Sequence, residues 1–297
     1  MLVTSATLDT LRVGFKTLYT EGFGMASPQW SRVAEQVPSS HLEENYGWLG
    51  DTPGMSEWLG ERVVHALKEH DFRIKNKDWE LTIGVDRNRI EDDSLGIYAN
   101  RFRQMGKSAG SKYDLDVWSL LKAGFATNCY DGQYMFDTDH PVLDANGETV
   151  SVANTDGGSG TPWFLIDTSQ VVKPVLLQVR KAMVFDSLDK RTDQNVFMNK
   201  QFIYGVDGRH NVGFGLWQTA WGSKQTLNAA NYAIARAALS GMKGDYGRPL
   251  GLMPNLLVVP PSLESAGRKI LNSDYAAGGE TNEWKGTAEL LVVPWLA

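Results

Sequence analysis

Apolar and polar residues alternate strictly along Trp79-Glu80-Leu81-Thr82-Ile83-Gly84-Val85-Asp86, the pattern of a strand with one buried face. Just upstream, Phe72 and Ile74 alternate with Arg73 and Lys75 in the opposite phase. Asn76-Lys77-Asp78 supplies the turn or bulge that switches the phase, which predicts an extended two-stranded projection. A helical period follows: Leu95, Tyr98, Phe102, Met105 and Ala109 form one stripe, and Leu115, Trp118, Leu121 and Phe125 form another. The carboxylates of Ile90-Glu91-Asp92-Asp93 suit a helix N-terminus. Gly106 and Gly110 weaken the join, so the stripes read as one interrupted helix or as two, the second capped by Asp114 or Asp116.

Leu8, Leu11, Phe15 and Leu18 predict a short helix over Thr7–Tyr19, and residues 1–47 read either as an arm or as a helix docked on the body. Residues 131–162 are rich in turn residues and predict a surface loop region. Strands are expected at 163–167, 175–185, 196–206 and 212–217, then an Ala-rich helix at 226–240 with Leu227, Ala230, Ile234, Ala237 and Ala238 on its packed face. Leu256–Val259 and Leu290–Val293 each run into proline and read as buried strands. The pattern is α+β, without internal repeats.

Length and composition narrow the class. At 297 residues and 42% apolar content the chain can bury a sizeable core, and its apolar runs fall far short of the roughly 20 residues that span a bilayer. The first residues lack a basic segment followed by an apolar core, so cytoplasmic synthesis is expected. Cys129 is the one cysteine, which excludes an intrachain disulfide. A formal charge of −6 argues against a chain whose main task is gripping phosphate. The charge is segregated: residues 123–172 hold seven acids and no Lys or Arg, whereas 61–112 hold eleven basic and nine acidic residues.

Candidate chemistry is sparse. Asp137-Thr138-Asp139-His140 crowds two carboxylates and an imidazole, as half of a hard-metal site would, or forms a polar loop whose Asp side chains bond the local backbone. Gly205, Gly208, Gly213 and Gly215 lack the following residues of a phosphate cradle and read as turns or close backbone approaches. No nucleophile elbow is present, and no cation near Cys129 activates its thiol. Ten tryptophans suit core packing or contacts with partners: Trp79, Trp118 and Trp163 lie in phase with apolar neighbours, whereas Trp48, Trp58 and Trp284 sit in turn-rich contexts and are candidates for contacts between chains. A metal-dependent enzyme using Asp137, Asp139 and His140, or a glycan-binding module using exposed tryptophans, is the alternative reading.

Several strings, unspecific singly, occur in a telling order: Glu44-Asn45-Tyr46-Gly47-Trp48-Leu49-Gly50, Pro53-Gly54-Met55, Glu57-Trp58-Leu59-Gly60, Arg73-Ile74-Lys75-Asn76-Lys77, Ile90-Glu91-Asp92-Asp93, Leu121-Lys122-Ala123-Gly124-Phe125, Tyr130-Asp131-Gly132-Gln133, Phe136-Asp137-Thr138-Asp139-His140-Pro141, Tyr204-Gly205-Val206-Asp207 and Trp284-Lys285-Gly286-Thr287-Ala288-Glu289-Leu290. Together they resemble the major head subunit gpT of Mu-like phages and prophages over nearly the whole chain. The resemblance implies a major capsid protein, not an enzyme, of Hong Kong 97-type fold: N-terminal arm at 1–47, extension loop at 48–78, peripheral domain at 79–222 with a spine helix at 94–126 and the loop region 128–162, and axial domain at 223–297. It departs from the usual order, since strands at 163–217 precede the Ala-rich helix, and a rearranged connectivity is expected in which 163–217 complete the peripheral sheet. Contacts between subunits are expected at Trp48, Trp58, Arg62, Arg73, Lys75, Lys77 and Trp284.

The implied partners are further copies of the chain in pentamers and hexamers, a separate scaffold protein, a portal, a decoration or cement protein, and packaged double-stranded DNA touched non-specifically; no membrane and no cofactor is implied. The implied location is the virion capsid, after assembly in the bacterial host cytoplasm. The mild acidity fits a wall that contains DNA without gripping it. Lys68, Lys75, Lys77 and Asn76 lie in the loop region, but no partner Asn or catalytic Glu for a Lys–Asn cross-link is identifiable.

Overall fold

The computed structural model describes residues 5–49, 71–92, 96–276 and 278–297. Trp58, Arg62, Lys68 and the Pro53-Gly54-Met55 turn lie outside the described residues, as do Asp93 and Leu95. The chain opens with α1 (Ser5–Gly24), β1 (Ala34–Pro38), β2 (Glu43–Asn45), β3 (Arg73–Lys75), β4 (Lys77–Asp86), the short α2 (Arg87–Glu91) and the long α3 (Ile97–Ala123). There follow β5 (His140–Leu143), β6 (Thr149–Val152), β7 (Thr155–Gly158), β8 (Trp163–Ile166), β9 (Val175–Leu188), α4 (Gln194–Asn199), β10 (Gln201–Phe214), β11 (Ala220–Lys224), α5 (Ala229–Ser240), β12 (Leu256–Val259), α6 (Glu264–Leu271) and β13 (Glu289–Val292).

Two sheets organise these elements. The first has the order β1-β9-β10-β4, the second β13-β12-β8-β11-β7. Strand alternation fixes which face of the first sheet is covered: Val85, Phe202, Tyr204, Val206 and Phe185 are buried, and α1 and α3 lie over them. Phe15 of α1 stacks on Phe102 of α3 at 4.1 Å, and both meet Tyr204 edge-on. Farther along α3, Val117, Trp118 and Leu121 enter the larger core around the second sheet, with Trp163, Phe164, Trp217 and Leu256–Val259. At 27 residues α3 is about 40 Å long, so one rigid element is shared by both cores.

Between an arm and a docked helix, the observed form for 5–24 is the helix packed on α3, longer than the spacing of its leucines predicts. The two stripes of the central region form one helix because Gly106 and Gly110 are contact points: a Cβ on Gly106 would come within 2.0 Å of the Tyr19 carbonyl oxygen. Asp114 does not cap a second helix; it is buried and accepts the backbone N–H groups of Gln29 and Trp30 at 2.9 and 2.7 Å.

Other differences from the expected elements have local causes. The phase switch at Asn76 is real, but β3 and β4 do not pair with each other: β3 pairs with β2 as a two-stranded ribbon, and β4 pairs with β10. Trp163–Ile166 lies in the second sheet, hydrogen-bonded to β11 and β12, because its unbroken apolar run is buried on both faces. The segment 131–162 is an ordered set of short strands carrying buried Met135, Phe136, His140 and Asn154, not a surface loop. The expected strand at 196–206 divides at Lys200, which takes φ 53°, into α4 and β10. In α5 the packed residues are Tyr232, Ala235 and Leu239 rather than the Ile234 face, since Tyr232 carries the largest side chain inward to Trp284 and the Thr287 hydroxyl.

Candidate assembly surface

The expected contact residues fall on the β2–β3 ribbon and the start of β4. The ribbon is anchored by buried Asn76, whose amide donates to the Ser39 hydroxyl at 2.8 Å and the His41 carbonyl at 2.9 Å. Gln178 of β9 clamps it from below, donating to the Ile74 carbonyl and the Asn76 side-chain oxygen and accepting from the Tyr46 hydroxyl. Every polar group of this buried set has a partner, as a rigid base requires. Glu44 folds back onto the backbone N–H groups of Ser40 and His41 at 2.5 and 2.9 Å. Those two bonds, with His41's the larger effect, hold its carboxyl down to about 2.

On this base Arg73 is half-exposed and donates to Asp71 at 2.6 Å and Glu43 at 3.2 Å, which raises its already high pKa. Lys75 and Lys77 are exposed, and Trp48 is 56% exposed beside the edge of the buried Tyr46 ring. The structure thus brings Trp48, Arg73, Lys75 and Lys77 onto the β2–β3 ribbon and the residues that flank it. Trp284 is not among them; it is half-buried and packs edge-on against Tyr232 at 5.5 Å. Among the tryptophans expected inside, Trp118 and Trp163 are fully buried, while Trp79 is half-buried beneath the Lys112 ammonium at 3.3 Å from its ring centre.

Sequence reasoning missed Phe197 and Met198, which are 80% and 67% exposed on α4 at the turn between β9 and β10. Their signal was an apolar pair followed by Asn199-Lys200, read instead as the start of a strand.

The carboxylate that the structure pairs with His140 is not one of the two expected for the enzyme alternative. His140 is fully buried, stacks on Trp217 at 3.9 Å, and its Nδ1 lies 2.7 Å from an oxygen of Asp131, not of Asp137 or Asp139. Asp137 instead accepts the backbone N–H groups of Tyr134 and Thr138, while its own N–H donates to Asn154, so it is a loop fastener. Cys129 donates its thiol to the other oxygen of Asp131 at 3.0 Å, and burial, reinforced by that carboxylate, pushes the thiol pKa up. Cys129, Asp131 and His140, with ligand atoms within 4.8 Å of one another, thus form a largely buried cluster other than the expected Asp137–Asp139–His140 set.

The body is two sheets strutted by one long helix, with the β2–β3 ribbon packed on the first sheet through Ile74 and Gln178. Comparison with known proteins gives its class: the chain superposes with TM-score 0.86 on a subunit of the procapsid of bacteriophage JBD30, at 39% identity over 99% of this chain and 100% of that one. A chain of the JBD30 capsid decorated with minor capsid protein trimers superposes at 0.79, with 30% identity over 93% of each chain. The fold is that of phage major capsid proteins of the Hong Kong 97 type.

The model of the Mu-like prophage major head subunit gpT matches residues 8–296, and the chain belongs to that family. It is 38% identical to the major capsid protein of Escherichia phage Mu over the full length of both chains. It is 40% identical to the Mu-like prophage FluMu major head subunit of Haemophilus influenzae over 93% of this chain and 92% of the relative. The chain is a major capsid subunit, not an enzyme. No helix among the described residues is long and apolar enough to cross a membrane.

Proposed function

We propose that this subunit assembles through pentamers and hexamers into an icosahedral shell around double-stranded DNA, in the cytoplasm of a bacterial host. The observation that carries the reading is the near full-length likeness to a chain from a procapsid and to one from a decorated capsid. The procapsid stage agrees with a separate scaffold protein and a portal, and the decorated relative with a decoration protein. The first sheet with α3 is assigned to the peripheral domain. The second sheet with α5 and α6 is assigned to the axial domain, which groups β7 and β8 with residues 223–297. Residues 1–47 are assigned to the N-terminal segment, whose α1 docks on α3, and 48–78 to the extension loop.

In this reading Trp48, Arg73, Lys75 and Lys77 lie over a neighbouring subunit, Trp58 and Arg62 are further proposed contacts, and Trp284 contributes at the other sheet. Closure of the shell then depends on area buried between identical chains. The test is co-expression of the chain with its scaffold, followed by electron microscopy of the particles. Closed shells in which these side chains lie against a neighbour support the assignment; shells in which the ribbon faces only solvent refute it.

A further inference from the structure

Cys129, Asp131 and His140 meet inside the subunit, within a stretch, residues 123–172, that holds no Lys or Arg. The Asp131 side chain is 5% exposed, His140 is fully buried, and Cys129 is buried with them. The Cys129 sulfur lies 3.0 Å from one oxygen of Asp131, and the His140 Nδ1 lies 2.7 Å from the other. The remaining partner of this carboxylate is the Gln133 backbone N–H. Among the described residues no Lys or Arg lies within ion-pair distance of it. A carboxylate withdrawn from water without a fixed cation beside it is costly.

Local structure holds the three side chains in place. Gly132, at φ 92°, closes the turn that carries Cys129 and Asp131; its N–H donates to the Cys129 carbonyl at 3.2 Å, and the Cys129 N–H donates to the Gln133 carbonyl at 2.8 Å. His140 opens β5, and its ring is fixed by the stack on Trp217. Nε2 is buried and bonds nothing among the described residues, so the ring turns its polar contact toward Asp131 through Nδ1. The Tyr134 carbonyl oxygen stands 3.9 Å from the sulfur and offers a fourth donor.

We propose that Cys129, Asp131 and His140 form a structural zinc site. Thiolate, imidazole and carboxylate are the donor types that zinc takes, at about 2.0–2.3 Å, which sets tetrahedral donors about 3.4–3.6 Å apart. The observed 3.0 and 2.7 Å contacts need open by only about 0.6–0.7 Å to admit the ion between them. Charge favours the same occupant: a divalent cation with one thiolate and one carboxylate is neutral, which is what a buried cluster without Lys or Arg requires. On binding, the thiol gives its proton to solvent and the neutral ring carries its own on Nε2. The ion then ties the 129–134 turn to the start of β5, and because the ligands converge only in the folded chain, it stabilises that chain. Asp137 and Asp139 have no part in it.

The test uses the purified full-length chain, kept reduced, stripped with a chelator and titrated with zinc or with cobalt(II) as a spectroscopic probe. Expected are one zinc retained per chain by elemental analysis after gel filtration, a urea midpoint that rises with zinc and falls back with chelator, and a near-ultraviolet thiolate-to-cobalt band. Cys129→Ser should lose the band and the zinc-dependent shift, while Asp137→Asn keeps both. A parent chain that retains no zinc and gives no cobalt band, or a band that persists in Cys129→Ser, overturns the site. The parent measurement decides even where the serine variant does not fold.

Discussion

Replacing Gly106 by alanine sets two effects of opposite sign against each other. In the interior of an exposed helix the change gains about 1 kcal/mol, because glycine loses more backbone freedom on folding. In α3 the new Cβ would lie 2.0 Å from the Tyr19 carbonyl oxygen and 2.7 Å from the Phe23 nitrogen, both backbone atoms of α1. An ordinary carbon–oxygen contact is about 3.3–3.6 Å, so α1 must withdraw by more than about 1 Å. Such a gap forfeits a quarter to a half of the dispersion energy across the seam and admits water beside Phe15 and Tyr19, which are 8% and 6% exposed. Full burial of each ring is worth about 1.5–3 kcal/mol. Losing half or more of both costs about 2–4 kcal/mol, and the net effect is a destabilisation of about 1–3 kcal/mol.

Gly14, on the same α1 with no atom within 4 Å of its virtual Cβ, is the control, and Gly14→Ala should stabilise by up to about 1 kcal/mol. The assay is urea unfolding of the purified chain with the slope held common. A G106A midpoint at or above that of the parent, alongside the expected gain for G14A, would refute close packing of α1 on α3.

The remaining predictions concern the ribbon, the α3 junction and the buried thiol. Glu44 is held at about 2 against an ordinary 4.5, so its contribution is fully present above about 4.5 and is lost as pH falls toward 2; the Glu44→Gln chain should show a flatter loss of urea midpoint between pH 5 and 2. Asp114→Ala leaves the N–H groups of Gln29 and Trp30 and the Trp118 indole without their acceptor and should cost about 2–4 kcal/mol in the same assay. Cys129 should resist maleimide in the native chain and react once per chain in denaturant, so native labelling would contradict its burial beneath Asp131. Trp48→Ser should leave the unfolding midpoint of the isolated chain within about 0.5 kcal/mol while lowering the yield of closed shells; a loss of fold stability with normal shells would reverse its assigned role.

The elements that were legible in the sequence are those whose burial follows a single period. Trp79–Asp86 alternates because one face meets the helices, and the α3 stripe repeats because one side meets the sheet. Leu256–Val259 reads as buried for the plainer reason that it has no polar position. What sequence periodicity could not supply was pairing across long separations. Ala34–Pro38 joins Val175–Val179 in parallel, and nothing local announces it. Trp163–Ile166 is equally apolar on both faces, so its run is compatible with either sheet. Around the site, the charged ribbon was visible as Arg73, Lys75 and Lys77. The partner of His140 was not, because Asp131 lies nine residues upstream, beyond the two nearer carboxylates of Asp137 and Asp139. Glycines 106 and 110 read as helix weaknesses, although they are the surface against which α1 closes.

The central claim is that this chain is a repeating unit of a shell. Sedimentation velocity of the purified chain, alone and with its scaffold partner, combined with negative-stain microscopy of the same samples, tests it most directly. The account predicts capsomers alone and closed shells with the scaffold. A single species at the subunit mass of 32.9 kDa in both conditions would contradict it.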